Sequence, residues 1–438
     1  MDNRELLARS LRAVWHPCTQ MKAHEIYPLL PVAGGEGVWL HDYDGRRYLD
    51  AISSWWVNLF GHRHPSINAA VHAQLDRIEH VLLAGCTHEP AVLLAERLSA
   101  LTGNRLGHCF FASDGASAIE IALKMSHHYW RNLGRPQKRD FVCLAGCYHG
   151  ETLGALGVTD VPLFRDAYAP LLRQATTVPS PDFRLAAAGE SAAAYARRCA
   201  EALDAHLAAH GERIAALIVE PLVQCAAGMA MHDAEYLRLA RASCDRHGVH
   251  LIADEIAVGC GRTGSFLACD QAGILPDFLC LSKGLSGGYL PLSVVLCTDA
   301  AYAAFYADET SRGFLHSHSY SGNPLACAAA VATLDLFAAG DVLAANARLG
   351  DYFDTAAAGL AAHPRLRHWR RRGMIWAADV EVDDPAFARR VYAAGLQHEL
   401  LLRPIGRTLY FMPPYVIGRD EVDFLLAQTR AVLDAVLS

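Results

Sequence analysis

Apolar and polar residues follow two rhythms along this chain. Short apolar runs recur: Cys109-Phe110-Phe111-Ala112, Phe141-Val142-Cys143-Leu144, Ala215-Ala216-Leu217-Ile218-Val219-Glu220, His250-Leu251-Ile252-Ala253-Asp254-Glu255, Phe278-Leu279-Cys280-Leu281-Ser282-Lys283 and Ser293-Val294-Val295-Leu296. Such runs suit strands buried on both faces, as in a parallel sheet covered by helices. Between them lie stretches with helical spacing, including 118–130 and the alanine-rich 185–210 and 326–360. This alternation predicts an α/β fold with a mostly parallel sheet. The segment Gly37–Asp50 differs: two alternating strands flank an Asp44-Gly45 turn, which predicts a small antiparallel element. After about residue 330 the pattern becomes helix followed by short strands, such as Thr408–Met412. The expected organisation is a large domain over 61–330 and a smaller α+β domain built from 1–60 and 331–438.

Composition narrows the class. Of 438 residues, 52% are hydrophobic and 19% charged, which fits a globular chain and not a disordered one. The net charge is -7 and no long basic run appears, so nucleic acid is not the expected partner. No apolar run reaches the roughly 20 residues of a membrane span. The first residues, Met1-Asp2-Asn3-Arg4-Glu5, lack the apolar core of a signal peptide. The 13 cysteines are an odd, scattered set, often inside apolar runs, as expected in a reducing cytoplasm. Cys143, Cys147 and His149 stand close together, but no fourth ligand follows at zinc spacing, so no metal is expected.

Chemistry gathers where the apolar runs stop. Ligands bind open α/β sheets at the carboxyl ends of their strands. One run ends at Asp254 and the next at Lys283, followed by Gly284 and Gly287-Gly288. A buried carboxylate needs a partner, and a buried lysine becomes nucleophilic as its pKa falls. Ser113-Asp114-Gly115-Ala116-Ser117 is a small-residue strand-to-helix turn, the kind that offers N–H groups to a phosphate or simply caps a helix. Cys147-Tyr148-His149-Gly150-Glu151 puts an aromatic at a strand end, where it stacks on a flat ring or covers core. Glu220 closes a run as Asp254 does and reads as structural. Leu401-Leu402-Arg403-Pro404 offers a guanidinium for a carboxylate, or for an ion pair. Gly259-Cys260-Gly261-Arg262-Thr263-Gly264 fits a dinucleotide fingerprint, but no convincing helix follows it and the next strand ends in Lys283. A nicotinamide-dependent dehydrogenase is therefore the weaker, different-class alternative.

Taken in order, these features resemble the fold-type I pyridoxal-phosphate enzymes. Leu251–Gly264 and Ser282–Gly288 resemble the signature of the class III aminotransferases. The resemblance extends from about residue 11 nearly to the C-terminus. It narrows through Trp15-His16-Pro17-Cys18-Thr19-Gln20, Ser53-Ser54-Trp55-Trp56, Tyr148–Glu151, His316–Pro324 and Arg403-Pro404 with Tyr410–Tyr415 to the branch that serves biotin synthesis. It implies pyridoxal 5′-phosphate as cofactor. Lys283 would hold it covalently and shuttle a proton, and Asp254 would keep its ring nitrogen protonated. Tyr148 would stack on the ring, with His149 also at the cofactor, and Gly115 and Ala116 would bind the phosphate. Ser319 would reach the phosphate from a second subunit, so a homodimer is implied. Trp55, Trp56, Gly150, Arg403, Tyr410 and Cys18 would form the substrate pocket, Arg403 binding a carboxylate. The implied reaction is ping-pong: 8-amino-7-oxononanoate accepts an amino group donated by S-adenosylmethionine. Lysine as donor and other class III ω-aminotransferases are the close alternatives; Ser286–Leu292 resembles the lysine-using branch. The chain departs from the family pattern at three places: Cys18 for a tyrosine, Glu151 for an aspartate, and Gly115-Ala116 where a serine is common. The first puts a phenol contact in the pocket in doubt.

Overall fold

The computed structural model describes residues 1–438. The chain forms two compact units, one of Ser66–Leu343 and one of Met1–Pro65 with Ala344–Ser438. No single helix is long and apolar enough to cross a membrane.

The first unit is built on a seven-stranded sheet in the order His108–Ala112, Ser293–Cys297, Phe278–Leu281, His250–Asp254, Ile214–Val219, Asp140–Leu144, Thr176–Val178. Every residue of 214–219, 250–254, 278–281 and 293–297 is buried, as the unbroken apolar runs require. Ser293–Cys297 runs antiparallel to both its neighbours; the other pairings are parallel. The reason is the connection from Leu281. It holds only the short 3-10 turn Lys283–Ser286 and no crossover helix, so the chain folds straight back.

Helix Gly115–Asn132 begins three residues before the apolar spacing first indicates one. Asp114 caps it, its carboxylate accepting the N–H of Ser117 at 2.9 Å, so Gly115 and Ala116 already belong to the first turn. The alanine-rich 185–210 is helical only over Ala192–His210, where Ser191 supplies the cap. The 326–360 stretch is likewise not one helix, for Pro324–Ala339 ends at Gly340 and Val342–Ala356 follows.

In the second unit, Val32–Glu36, Trp39–Asp42 and Arg47–Asp50 form the antiparallel element around the Asp44-Gly45 turn, and Leu400–Leu401 joins it in parallel. A second sheet of Leu366–Arg372, Ile375–Val380 and Thr408–Phe411 is antiparallel throughout. Helices Phe387–Gln397 and Arg419–Leu437 belong to the same unit.

Candidate active site

The sheet register places the predicted carboxylate among polar neighbours. Ala253 pairs with Val219 on one side and Leu279 on the other, so Asp254 stands beside the positions where the chain runs on to Glu220 and to Ser282-Lys283. Asp254 is 5% exposed. Its Oδ1 accepts the N–H of Ile256 at 3.1 Å, and its Oδ2 meets Nδ1 of the buried His149 at 2.7 Å. Burial disfavours the imidazolium of His149, but the hydrogen bond and charge of Asp254, with Glu220 adding to them, hold its pKa above the ordinary value. The other ring nitrogen, Nε2, is buried without a hydrogen-bond partner.

Glu220, which the sequence reads as structural, ties the loops around the carboxylate together. It is 5% exposed and clamps two loops, accepting Tyr148 N–H at 3.0 Å and Cys225 N–H at 3.1 Å. Burial first, then the nearby Asp254, push its pKa up to about 7 against the opposing pull of His149 and the two N–H groups. The available signal was a carboxylate closing an apolar run beside another that does the same.

Lys283 has a φ of 44°, left-handed for a residue with a Cβ. Such strain costs on the order of 1–3 kcal/mol and persists where surrounding contacts enforce it. Burial lowers the amine's pKa, while Cys225, Asp254 and Glu220 pull it back up. The Gly259–Gly264 segment is a run of turns that leads into another short 3-10 turn, Ala268–Ala272, and not into a helix.

Gly115 and Ala116 lie at the start of an 18-residue helix, where backbone N–H groups have no partner within the helix. Two loops press on this point. A Cβ on Gly115 would come within 3.0 Å of Ile256, and one on Gly150, whose φ is 119°, within 2.6 Å of the Ala116 Cβ. Tyr148 is half-buried, and its hydroxyl donates to Glu151 at 2.9 Å. Ser319 is exposed. The donors at the helix start, the carboxylate held by His149 and the nearby amine match in kind a phosphate, a pyridine nitrogen and an aldehyde. The residues present fit pyridoxal phosphate.

The remaining predicted residues belong to the other unit. A cavity of about 530 Å³ is lined there by His16, Cys18, Tyr27, Trp55, Tyr392 and Arg403, among others. The Arg403 guanidinium lies 3.9 Å from the Trp55 ring centroid. Cys18 is exposed. Trp56 is 5% exposed and donates its indole N–H to the buried Tyr410 hydroxyl at 3.0 Å; neither of the two is among the cavity's lining residues. Tyr27 and Tyr392 carried no signal in sequence, since neither lies in a recognisable motif.

A carboxylate and an amine at the carboxyl ends of neighbouring strands, beside a phosphate-ready helix start, define a pyridoxal-phosphate-dependent transferase. Comparison with known proteins gives the family: a model described as aminotransferase class-III matches residues 20–433, and the chain belongs to that family of pyridoxal-phosphate-dependent transaminases. It is 44% identical to the adenosylmethionine-8-amino-7-oxononanoate aminotransferase of Helicobacter pylori, over 98% of each chain. It is 40% identical to the protein of that name from Synechococcus elongatus, over 97% of this chain and 99% of the other. The crystal structure of such an aminotransferase from Methanocaldococcus jannaschii matches with a TM-score of 0.93 at 32% identity, covering 99% of both chains. An ω-transaminase from Thermomicrobium roseum reaches a TM-score of 0.94 at 30% identity, covering 100% of this chain and 99% of the other. The backbone is thus common to transaminases of different names and does not by itself fix the substrate.

Proposed function

We propose that this transaminase converts 8-amino-7-oxononanoate to 7,8-diaminononanoate with S-adenosylmethionine as amino donor. The observation that carries the reading is the Arg403 guanidinium seated on Trp55 in a mainly apolar and aromatic cavity. A fork of donors on an aromatic wall suits a carboxylate at the end of an aliphatic chain. The names of the relatives from Helicobacter pylori and Synechococcus elongatus support the same substrates.

Each residue then has a task. Bound pyridoxal phosphate supplies the electron sink that makes the α-proton of an amine acidic. Lys283 would hold that cofactor covalently, and its amine is the base that would take a proton from the donor's amine-bearing carbon and return one on the acceptor's side. Asp254, oriented by His149, would keep a proton on the ring nitrogen. Tyr148 would cover the ring, and the N–H groups of Gly115 and Ala116 would bind the phosphate. Trp55 would keep water from the substrate chain, Trp56 and Tyr410 anchor the turn behind it, Cys18 would stand at the pocket's rim, and Gly150 lets its own loop close on Ala116. Ser319 completes the phosphate site of a second copy in a homodimer. The enzyme works in the cytoplasm, in keeping with thirteen free thiols.

Adding S-adenosylmethionine to the purified, cofactor-loaded protein tests the reading. The visible cofactor band should bleach with S-adenosylmethionine and persist with lysine. Bleaching by lysine alone moves the enzyme to the lysine-using branch, and no visible band at all would refute the cofactor site.

A further inference from the structure

Ser53, Ser54, Trp55 and Trp56 are four consecutive residues with φ of 50°, 47°, 71° and 74°. A left-handed turn made without glycine is disfavoured at every position by contact between Cβ and backbone. Something outside the turn must hold it, and the hydrogen bonds show what does. Asp50, with an exposure of 0%, ends the strand Arg47–Asp50 just before the turn. Its Oδ1 accepts the N–H of Ser54 at 2.9 Å and of Ile52 at 3.3 Å, and its Oδ2 accepts the Ser54 hydroxyl at 2.7 Å. His62 Nε2 meets the same Oδ2 at 3.1 Å. The opposite ring nitrogen, Nδ1, faces the Asn58 amide nitrogen at 3.1 Å, and as that group is a donor, Nε2 carries the proton that Asp50 accepts.

The flanking residues are tied down as well. The Ser53 hydroxyl donates to Met412 O at 2.7 Å and the Trp56 indole to Tyr410 at 3.0 Å. Trp55 is left as the residue whose ring faces the cavity, 38% exposed and stacked under Arg403. In a right-handed turn its Cα–Cβ bond would point elsewhere and the stack would be lost.

We infer that Asp50 and His62 are positioning residues: they enforce the left-handed turn that sets the Trp55–Arg403 stack, and so govern affinity for the substrate's carboxylate without touching it. This rests on the reading that Arg403 takes that carboxylate. The test compares steady-state constants for 8-amino-7-oxononanoate in the wild-type holoenzyme and in Asp50→Asn, His62→Gln and Arg403→Ala. Asp50→Asn sets an amide donor against the His62 and Ser54 donors. It should raise KM about tenfold with kcat little changed, since misplacing a binding group weakens binding more than it alters the chemical step. His62→Gln should act in the same direction, more weakly.

The decisive arm is the double variant Asp50→Asn with Ser54→Gly. Glycine adopts positive φ freely, so it should restore much of the lost affinity. A raised KM that glycine does not lower would overturn the inference, as would an unchanged KM in Asp50→Asn or a fall in kcat alone. If Arg403→Ala itself leaves KM unchanged, the reading of the pocket fails instead, and the two failures are distinguishable.

Discussion

Glu220→Gln is the perturbation whose magnitude the geometry sets most directly. The folded-state pKa of Glu220 lies near 7, raised from an ordinary 4.5. A raised carboxyl pKa means that the folded chain prefers the neutral form. Below pH 4.5 both states are protonated and the contribution of this group to stability is intact. Between pH 4.5 and 7 the unfolded chain ionises freely while the folded one keeps its proton, and stability falls by about 1.4 kcal/mol per pH unit. Above pH 7 the loss has levelled off at about 3 kcal/mol.

Glutamine cannot ionise, so that loss disappears in the variant. In exchange, glutamine has one acceptor oxygen for the two N–H groups of Tyr148 and Cys225, and its amide turns a donor toward one of them. This costs roughly 1–2 kcal/mol at every pH. The variant should therefore be less stable than wild type at pH 5 and more stable at pH 8, with a crossover at about pH 5.5. Urea unfolding of the cofactor-free protein at unit pH steps measures the difference. His149 and Glu220 act on each other electrostatically, so the quantity that counts is the wild-type-minus-variant curve and not a single pKa. A difference that is flat from pH 5 to pH 8, or that slopes the other way, would refute the assignment.

Replacing Lys283 with alanine should abolish turnover and any borohydride-fixable cofactor band, with far-UV circular dichroism unchanged; residual normal activity contradicts its role. Trp56→Phe removes the indole donor to a Tyr410 hydroxyl that is 2% exposed with its residue, and should cost about 1–2 kcal/mol of stability, seen as a lower thermal midpoint. His250, buried against Ser126, has a pKa pushed down to about 4, chiefly by burial. Its stabilising contribution is full above pH 6.5 and falls by about 3 kcal/mol as the pH drops to 4; His250→Gln should flatten that part of the acid unfolding curve.

The parts of this fold that were legible in sequence are those governed by burial alone. The strands 214–219, 250–254 and 278–281 read clearly because both of their faces are covered, and Asp254 and Lys283 stood out as polar ends on apolar runs. The strand Leu366–Arg372 was not legible, because its sequence is largely arginine. It is held by pairing with Ile375–Val380 and by the ion pair of the buried Arg370 with Asp379 at 2.9 Å, a long-range partnership that no local pattern announces. Glu220 was visible as a residue but not as a clamp, since its partners Tyr148 and Cys225 reach it only through the sheet register. The Ser-Ser-Trp-Trp segment was singled out by resemblance, yet its left-handed form was hidden. That conformation is dictated by Asp50, His62 and Met412, and not by the propensities of the four residues themselves.

The distribution of strain argues that both regions are functional. A chain free to relax would put glycine at φ near +50°, as it does at Gly37, Gly248 and Gly273, where the residue is a simple turn or helix end. At Lys283 glycine is excluded if the position must carry an amine, and at Trp55 if it must carry a ring. Single left-handed residues at Asn104 or Glu399 need no such account, because one strained residue in a turn is common. Four in succession are different: the cumulative cost, on the order of 4–8 kcal/mol at 1–2 per residue, rivals the net stability of a typical domain. A buried carboxylate with three donors of its own chain and a histidine behind it is the kind of device needed to offset that cost. A purely structural turn would gain by shedding both the strain and the device. Their persistence together is best explained by the one thing the turn accomplishes, which is to hold the Trp55 ring under Arg403.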